Sequence, residues 1–313
     1  MKEKIKVIII VGPTAVGKTS LSIAMAKAVD GEIISGDSMQ VYRNLSIGTA
    51  KATLEEQDGV PHHLIDCVDV DESYSVSDFQ KMARHEIAEI GKRGKVPIIV
   101  GGTGLYIEAL LYDLSFGGTG EEDLVFREAK EALAKLKGPD FLWRELEAVD
   151  PVAAKGIHPN NVKRVIRALE VYHVTGKRFS DFQHEHQTKE AFYEAKIIGL
   201  TTEREKLYQR INQRVEIMLE NGLLEEAEWL CQQNIPNAQA ALGIGYKEIM
   251  PYLQQKITLD QAIEQIQQNS RRYAKRQLTW FRNRWAEVEW WDLVQNPKEQ
   301  ENVISDAKRF LQK

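Results

Sequence analysis

Short apolar runs alternate with helical patterns in the first third of the chain. Two of these runs, at residues 5–11 (IKVIIIV) and 95–100 (KVPIIV), are continuously apolar rather than alternating at their centres, and residues 31–35 (GEIIS) predict another strand. Continuous apolar runs are typical of strands that are covered on both faces. Strands that alternate with amphipathic helices favour βαβ units and a parallel sheet. Residues 62–68 (HHLIDCV) predict a further short strand.

The pattern changes after the first third of the chain. A turn-rich, acidic break at residues 116–123 (FGGTGEED) is followed by a strongly charged stretch in which apolar residues recur at helical spacing. Residues 194–201 (EAKIIGLT) predict another strand. Helices are predicted after it, the longest over residues 259–284, and residues 288–293 (VEWWDL) predict a last short strand.

A glycine-rich turn follows the first predicted strand. Residues 12–19 read GPTAVGKT, the full G-x-x-x-x-G-K-[ST] pattern, and a helical pattern comes next, which is the context that this motif requires. Its glycines let the backbone curl so that successive N–H groups face phosphate oxygens. Lys18 adds a positive charge, and Thr19 offers its hydroxyl to Mg²⁺. We therefore predict a phosphate loop that binds a diphosphate or triphosphate, formed by Gly12, Pro13, Thr14, Ala15, Val16, Gly17, Lys18 and Thr19.

The motif and the alternating pattern together predict an α/β fold. We expect a P-loop NTPase-like parallel-sheet core with an inserted all-helical domain. The core is predicted to comprise residues 1–116 and 190–313, including the C-terminal helices. The helical insertion is predicted to comprise residues 117–189.

Composition narrows the range of partners. The 313 residues are 43% hydrophobic and 28% charged, with a formal net charge of −5, so any nucleic-acid contact must come from local basic clusters. The two cysteines, Cys67 and Cys231, lie far apart in sequence and imply neither a metal site nor a disulfide framework. No stretch is apolar for long enough to span a membrane, and we expect a cytoplasmic protein.

Two side chains at predicted strand ends are candidates for chemistry. Asp37 follows the second strand, and ligands of α/β sheets bind outside the carboxyl ends of strands. A carboxylate there can take a proton from a nucleophile or hold a substrate, but it can equally form an Asx-turn or cap a helix. Thr103 lies in a second glycine turn, residues 101–104, where its hydroxyl can contact a leaving-group oxygen or serve only as a helix N-cap.

Arg204, Arg210 and Arg214 lie on or near one predicted helix. They can close over bound phosphates as a lid. Arginines of this kind are, however, more often solvated or paired with nearby glutamates. We therefore favour a surface position for all three.

Basic residues cluster in two places. Residues 271–285 carry six basic side chains and no acidic one, with aromatic residues interleaved. Cations can neutralise phosphates while aromatic rings and arginines stack on bases. Phe281 and Trp285 are better explained as the core face of an amphipathic helix. The second cluster, in the predicted insertion, consists of Lys163, Arg164 and Arg167, with Arg127 at the entry. Two basic clusters favour one polyanion that lies across both parts of the chain.

Several sequence blocks resemble those of one protein family, in the same order. They read GPTAVGKT, SGDSMQVYRNLSIGTAK, PHHLID, VGGTGLYI, IHPNNVKRVIRALEVYHVTGK, LGIGYKEI and RRYAKRQLTWFR. In these blocks the chain is similar to the tRNA dimethylallyltransferases, also called tRNA isopentenyltransferases. GDSMQVYR and GIGYKE are much more specific than the phosphate loop and are not expected in nucleotide kinases.

The resemblance implies an activity and a set of roles. The activity is transfer of a dimethylallyl group from dimethylallyl diphosphate to N6 of the adenine just 3′ of the anticodon in tRNA, with Mg²⁺ and with release of diphosphate. By the same resemblance the phosphate loop holds the diphosphate, and Thr19 reaches the metal. Asp37 takes a proton from the adenine amine, and Thr103 lies at the reacting centre.

The resemblance also implies the partners. They are dimethylallyl diphosphate and the anticodon stem-loop of tRNA, with no membrane, and we expect a monomer. The positions that match the family's tRNA-contacting segments are Asp37, Ser38, Met39, Gln40, Arg127, Lys163, Arg164, Val165, Ile166, Arg167, Leu242, Gly243, Ile244, Gly245, Tyr246, Lys247, Lys275, Arg276, Gln277, Leu278, Thr279, Trp280, Phe281 and Arg282.

Two alternatives remain open from the sequence. A small-molecule or nucleotide kinase fits the phosphate loop and the parallel sheet, but it does not need two basic clusters. The second alternative is a tRNA-binding or GTPase-like switch protein without this catalytic activity. The lack of an N-K-x-D motif counts against this second alternative.

Overall fold

The computed structural model describes residues 4–112, 114, 123–184, 190–235 and 238–313. The chain forms two compact units, which we call the sheet unit (Met1–Leu111 with Phe192–Lys313) and the helical unit (Tyr112–Ala191). The predicted turn-rich segment at 116–123 lies outside the described residues except for Asp123, and so do the predicted boundaries near residues 116 and 189.

The sheet unit is built on a parallel sheet, as predicted for an α/β fold. Within the described ranges it has six strands in the order β3-β2-β4-β1-β5-β6. At its centre Ile9 of β1 pairs with Ile99 of β4 and Ile197 of β5, and β-branched residues suit such a buried, pleated surface. The strands are β1 (Lys6–Val11), β2 (Gly31–Ser35), β3 (His62–His63), β4 (Val96–Gly101), β5 (Glu194–Leu200) and β6 (Glu289–Trp291).

Strand β3 is much shorter than the strand predicted at residues 62–68. Only His62–His63 pairs with β2. Leu64 and Asp66, just after it, have φ values of 58° and 53°. This left-handed conformation ends an extended strand, and a hydrophobic pattern does not report it.

The first helices of the sheet unit follow the predicted alternation. They are α1 (Lys18–Val29), α2 (Leu54–Gln57), α3 (Val76–Lys92) and α4 (Gly104–Tyr112). Thr53 and Ser75 begin α2 and α3 with capping boxes, in which side chain and backbone satisfy each other's free N–H groups.

The described part of the helical unit contains α5 (Leu124–Lys137), α6 (Pro139–Val149), α7 (Pro151–Gly156), α8 (Val162–Thr175) and α9 (Phe179–His184). Leu142 and Leu146 of α6 share a buried core with Val165 of α8. Asp150 separates α6 from α7 and caps α7 by accepting a hydrogen bond from the Ala153 N–H at 3.0 Å.

The chain then returns to the sheet through β5 and continues as helices. These are α10 (Arg204–Glu220), α11 (Leu223–Gln232), α12 (Tyr246–Leu253), α13 (Leu259–Arg284) and α14 (Gln300–Gln312), with 3₁₀ turns at Ala240–Leu242 and Pro297–Glu299. Ile8 and Ile10 of β1 share one core cluster with Leu21 of α1, Ile211 of α10 and Ala274 of α13. Helices far apart in sequence are therefore held against one strand.

Candidate active site

Three loops meet at the carboxyl edge of the sheet. Strand β1 leads into the phosphate loop (residues 12–19), β2 into residues 36–40, and β4 into residues 101–104, which we call the Thr103 turn. The three strands are adjacent and parallel, in the order β2-β4-β1. The Ser38 N–H donates to Thr103 Oγ1 at 3.3 Å, so the second and third loops are joined directly. In an open α/β sheet this edge is where ligands bind.

The phosphate loop needs its glycines for two physical reasons. Gly12 has a φ of 146°, and a Cβ there would lie 2.4 Å from the Leu200 carbonyl oxygen. Gly17 has a φ of 89° and immediately precedes α1. The loop therefore ends at a helix N-terminus, where free backbone N–H groups favour an anion.

Lys18 supplies the positive charge of this loop. Its Nζ donates to the Pro13 carbonyl at 2.7 Å. Burial, reinforced by the nearby Arg214 cation, lowers the pKa of Lys18 to about 8, while Asp37 acts in the opposite direction. A diphosphate beside both cations would favour their charged forms. Thr19, the next residue, is exposed and therefore accessible.

The α10 arginines differ in exposure: Arg204 and Arg210 are exposed, as favoured from the sequence, whereas Arg214 is half-buried, contrary to the favoured surface position. Arg210 Nε donates to the Ala15 carbonyl at 2.8 Å, and Arg214 lies 3.5 Å from Thr14 Oγ1. Burial lowers the pKa of Arg214, against the effect of Asp37. Arg204 is exposed and lies over the Tyr208 ring. The signal in the sequence was the i,i+4 spacing of Arg210 and Arg214, which places both on one helix face.

Asp37 has both a local and an electrostatic role. Its Oδ1 accepts a hydrogen bond from the Met39 N–H at 2.9 Å, which is the Asx-turn considered from the sequence. The carboxylate also interacts with Lys18, Arg214 and Tyr273. A carboxylate that accepts one hydrogen bond retains acceptor capacity, so the turn does not prevent it from contacting a substrate.

The Thr103 turn is packed tightly. The Thr103 carbonyl accepts hydrogen bonds from the N–H groups of Tyr106 and Ile107, at 2.9 and 3.3 Å, so this residue immediately precedes α4 and accepts its first hydrogen bonds. A Cβ at Gly104 would lie 2.2 Å from Cδ1 of Trp280. The indole of α13 therefore covers the turn directly, and only a glycine fits beneath it.

A loop after β2 is held by a carboxylate of α11. Glu226 accepts hydrogen bonds from the backbone N–H groups of Ser46, Ile47 and Gly48 at 2.6, 2.9 and 2.8 Å. The Tyr246 hydroxyl donates to the same carboxylate at 2.6 Å. Burial and the Glu226 charge raise the pKa of Tyr246. Tyr246 is fully buried, so its side chain faces the protein. Its place in a tRNA-contacting segment stays a prediction.

The predicted tRNA-contacting stretch of α13 divides by helix face. Lys275, Arg276, Thr279 and Arg282 are exposed. Leu278 and Trp280 are half-buried. Gln277 and Phe281 are 5% and 0% exposed, so their side chains face the protein, and their part in a tRNA-contacting segment stays a prediction. Phe281 and Trp285 form the core face that the amphipathic pattern predicted.

The predicted tRNA-contacting residues of the helical unit divide in the same way. Lys163 and Arg164 are exposed. The side chains of Val165 and Ile166 are buried in the core of this unit, and the part of these two positions in a tRNA-contacting segment stays a prediction. Arg127 and Arg167 both donate to the carboxylate of Glu170, a residue that is fully buried. The single Glu170 carboxylate therefore balances one of these two positive charges within the unit.

The remaining predicted contacts lie in the sheet unit. A Cβ at Gly243 would lie 2.6 Å from Cε of Met39, so the loop at 36–40 packs against residues 242–247. Gln40 is used internally, since its amide accepts from Ser35 Oγ and donates to two backbone carbonyls. Leu242 and Lys247 are exposed, Ile244 is half-buried, and Gly245 precedes α12 with a φ of 104°.

Two features are absent from the described part of the chain. Its histidine, cysteine, aspartate and glutamate side chains form no group of three or more that suits a metal ion. None of its helices combines the length and the apolar character needed to cross a membrane.

The chain is similar to known proteins over most of its length. The family model described as IPP transferase matches residues 40–284. A protein named tRNA dimethylallyltransferase from Bacillus cereus (strain ATCC 10987 / NRS 248) is 52% identical over 96% of this chain and 93% of its own length. A protein of the same name from Geobacillus kaustophilus (strain HTA426) is 55% identical over 92% and 91%.

Two solved structures are also similar. The full-length tRNA isopentenylpyrophosphate transferase from Bacillus halodurans is 48% identical, with a TM-score of 0.74 over 99% of this chain and 97% of that one. A eukaryotic dimethylallyltransferase described as acting on tRNA is 37% identical, with a TM-score of 0.76 over 88% and 70%. The family match over most of the chain, together with these identities, shows that the chain belongs to the IPP transferase family.

Proposed function

We propose that the chain transfers a dimethylallyl group from dimethylallyl diphosphate to N6 of the adenine immediately 3′ of the anticodon in tRNA. The observation that carries this proposal is the meeting of the phosphate loop with Asp37 and Thr103 at one edge of the sheet. Lys18 and Arg214 make this edge cationic, which suits a diphosphate leaving group. The names of the relatives support the same reaction and tRNA as its substrate.

The reaction requires a base that takes a proton from the amine and cationic groups that stabilise the negative charge of the leaving diphosphate. The amine lone pair of adenine is delocalised into the ring, so the amine is a poor nucleophile. In the proposed step its nitrogen bonds to C1 of the dimethylallyl group, and the C1–O bond breaks with its electron pair leaving on diphosphate. Asp37 takes the proton from N6. Backbone N–H groups, Lys18 and Arg214 stabilise the diphosphate.

We propose that Mg²⁺ assists this step at Thr19. The Thr19 hydroxyl is an oxygen donor on an exposed side chain, which fits an ion held mainly by substrate phosphates and water. Magnesium commonly keeps several waters and binds through substrate phosphates. When bound, it would neutralise part of the leaving-group charge.

We propose that tRNA is held through exposed cations of both units. These are Lys163 and Arg164 in the helical unit, and Lys247, Lys275, Arg276 and Arg282 in the sheet unit. A stacked adenine cannot reach Asp37, so the base must turn out of the anticodon loop. Since tRNA functions in the cytoplasm, we expect the protein there, and its monomeric state stays a prediction.

The test is transfer of label from dimethylallyl diphosphate to RNA. The chain is incubated with labelled donor, Mg²⁺ and an unmodified tRNA that has adenine 3′ of the anticodon. A matched tRNA with guanine at that position is the control. Label in the first tRNA only, without ATP, is the expected result. ATP consumption with a small-molecule acceptor and no labelled tRNA would support the kinase alternative instead.

A further inference from the structure

Gln277 of α13 links two of the three loops at the site. Its Oε1 accepts a hydrogen bond from the Thr14 N–H at 3.1 Å, and its Nε2 donates to the Gly102 carbonyl at 3.0 Å. A Cβ at Gly102 would lie 2.0 Å from this Nε2. The side-chain amide therefore fills the space between the phosphate loop and the Thr103 turn.

A primary amide is suited to this place because it carries both a donor and an acceptor. A glutamate at position 277 would bring a carboxylate against the Gly102 carbonyl with no hydrogen to donate. A methionine would have a similar length but would leave both backbone groups without their partner. Buried backbone groups that lose a partner are unfavourable, so either change should let the two loops shift.

The Thr103 turn is also held from its other side. Thr103 Oγ1 accepts from the Ser38 N–H at 3.3 Å. The hydroxyl of Tyr273, one helical turn before Gln277, interacts with the side chains of Thr103 and Gln277. Burial raises the pKa of Tyr273 to about 12, so this hydroxyl keeps its proton at neutral pH. Gln277 therefore joins the phosphate loop to a network that contains the threonine of the proposed reacting centre.

We propose that Gln277 is a positioning residue for the transfer reaction. It sets the separation between the phosphate loop, which holds the leaving diphosphate, and the Thr103 turn, where the allylic carbon reacts. This inference rests on the proposed function, because that reaction defines the reacting centre. Lys275 and Arg276 on the exposed face of α13 contact RNA, whereas Gln277 acts without touching it.

The test compares Gln277→Met and Gln277→Glu with Gln268→Met in the full chain. Gln268 is an exposed glutamine of the same helix, so it controls for loss of an amide as such. The measurements are the single-turnover rate at saturating donor and tRNA, the Kd for tRNA, the affinity for inorganic diphosphate with Mg²⁺, and the Tm. We expect both Gln277 variants to lower the rate about 10- to 100-fold and to weaken diphosphate binding. Their affinity for tRNA, and all properties of Gln268→Met, should match the wild type.

Two results would overturn the inference. A normal single-turnover rate with only a lower Tm would make Gln277 a structural residue. A normal rate with weaker tRNA binding would make it an RNA contact. If the wild type transfers no dimethylallyl group, the proposed function fails. In that case diphosphate affinity alone tests whether Gln277 links the phosphate loop to the Thr103 turn. Equal affinities for diphosphate in the wild type and Gln277→Met would refute that linkage.

Discussion

Replacing Glu170 with glutamine should destabilise the helical unit by about 3 kcal/mol. Glu170 is fully buried, and Arg127 and Arg167 donate to it from side chains that are 29% and 30% exposed. Oε1 accepts from the Asp123 N–H at 2.9 Å and from Arg127 Nε at 2.8 Å. Oε2 accepts from the second nitrogen of Arg127 at 3.0 Å and from Arg167 at 2.7 Å.

The expected loss of stability follows from how these four hydrogen bonds are shared between the two carboxylate oxygens of Glu170. Glutamine has one acceptor oxygen, so whichever way its amide turns, two charge-assisted hydrogen bonds are lost. Such bonds contribute about 1.5–3 kcal/mol each, and the lower figure applies because water can reach the partly exposed arginines. Two bonds at that value amount to about 3 kcal/mol.

The pH dependence provides a second check. Burial alone would raise the pKa of Glu170, but the hydrogen bonds from Arg127 and Arg167 outweigh it and hold the pKa below its usual range. A carboxyl whose pKa is lower in the folded state stabilises that state above its unfolded pKa. This contribution is lost as the pH falls through the lowered value. The difference between wild type and Glu170→Gln should therefore be full at neutral pH and shrink in acid.

Hydrogen exchange measured by mass spectrometry suits this test, because it follows one unit within the intact chain. Peptides from residues 124–175 should exchange faster in Glu170→Gln, while peptides from β1 and β4 should not change. Glu131→Gln, which alters an exposed glutamate of α5, is the matched control. If the exchange protection of these peptides in Glu170→Gln stays within about 0.5 kcal/mol of the wild type, the reasoning is refuted. Glu170, Arg127 and Arg167 would then not act as a stabilising cluster.

Three further predictions concern the reaction. Asp37→Ala should lower the single-turnover rate by about 10²- to 10⁴-fold with tRNA binding retained, and near-normal turnover would remove Asp37 as the base. Donor affinity should fall as the pH rises through about 8, where Lys18 loses its proton. In Arg214→Gln the midpoint of this loss should move to higher pH, because the cation that helps to lower the pKa of Lys18 is gone, and an unchanged midpoint would contradict that coupling. Arg276→Ala should weaken tRNA binding and flatten its dependence on salt by roughly one counterion, and an unaltered salt slope would mean that this arginine does not contact a phosphate.

The sequence was sufficient to predict an element wherever the interactions that form this element join residues close together in the chain. The continuous apolar runs predicted β1 and β4, because a strand buried on both faces needs apolar residues throughout, and the shorter run at residues 31–35 predicted β2. The glycines and lysine of residues 12–19 predicted the phosphate loop, because its turn and the following helix are contiguous in the chain. The end of β3 at His63 was missed, since the left-handed residues after it leave no mark in the hydrophobic pattern.

The sequence by itself determined the fold class, the phosphate loop and the two strand-end residues beside that loop, Asp37 and Thr103. Only the tertiary structure decided which polar side chains work inside the protein. Arg214 and Arg204 lie on one helix, and Gln277 and Gln268 on another, yet Gln277 is buried and Arg214 half-buried at the site, whereas Gln268 and Arg204 are exposed. The physical reason is that a helical pattern shows which residues share a face, but not which distant loop that face will meet. The partners of Arg214 and Gln277 lie about 200 and 263 residues away in sequence, and packing against β1 is what brings them together.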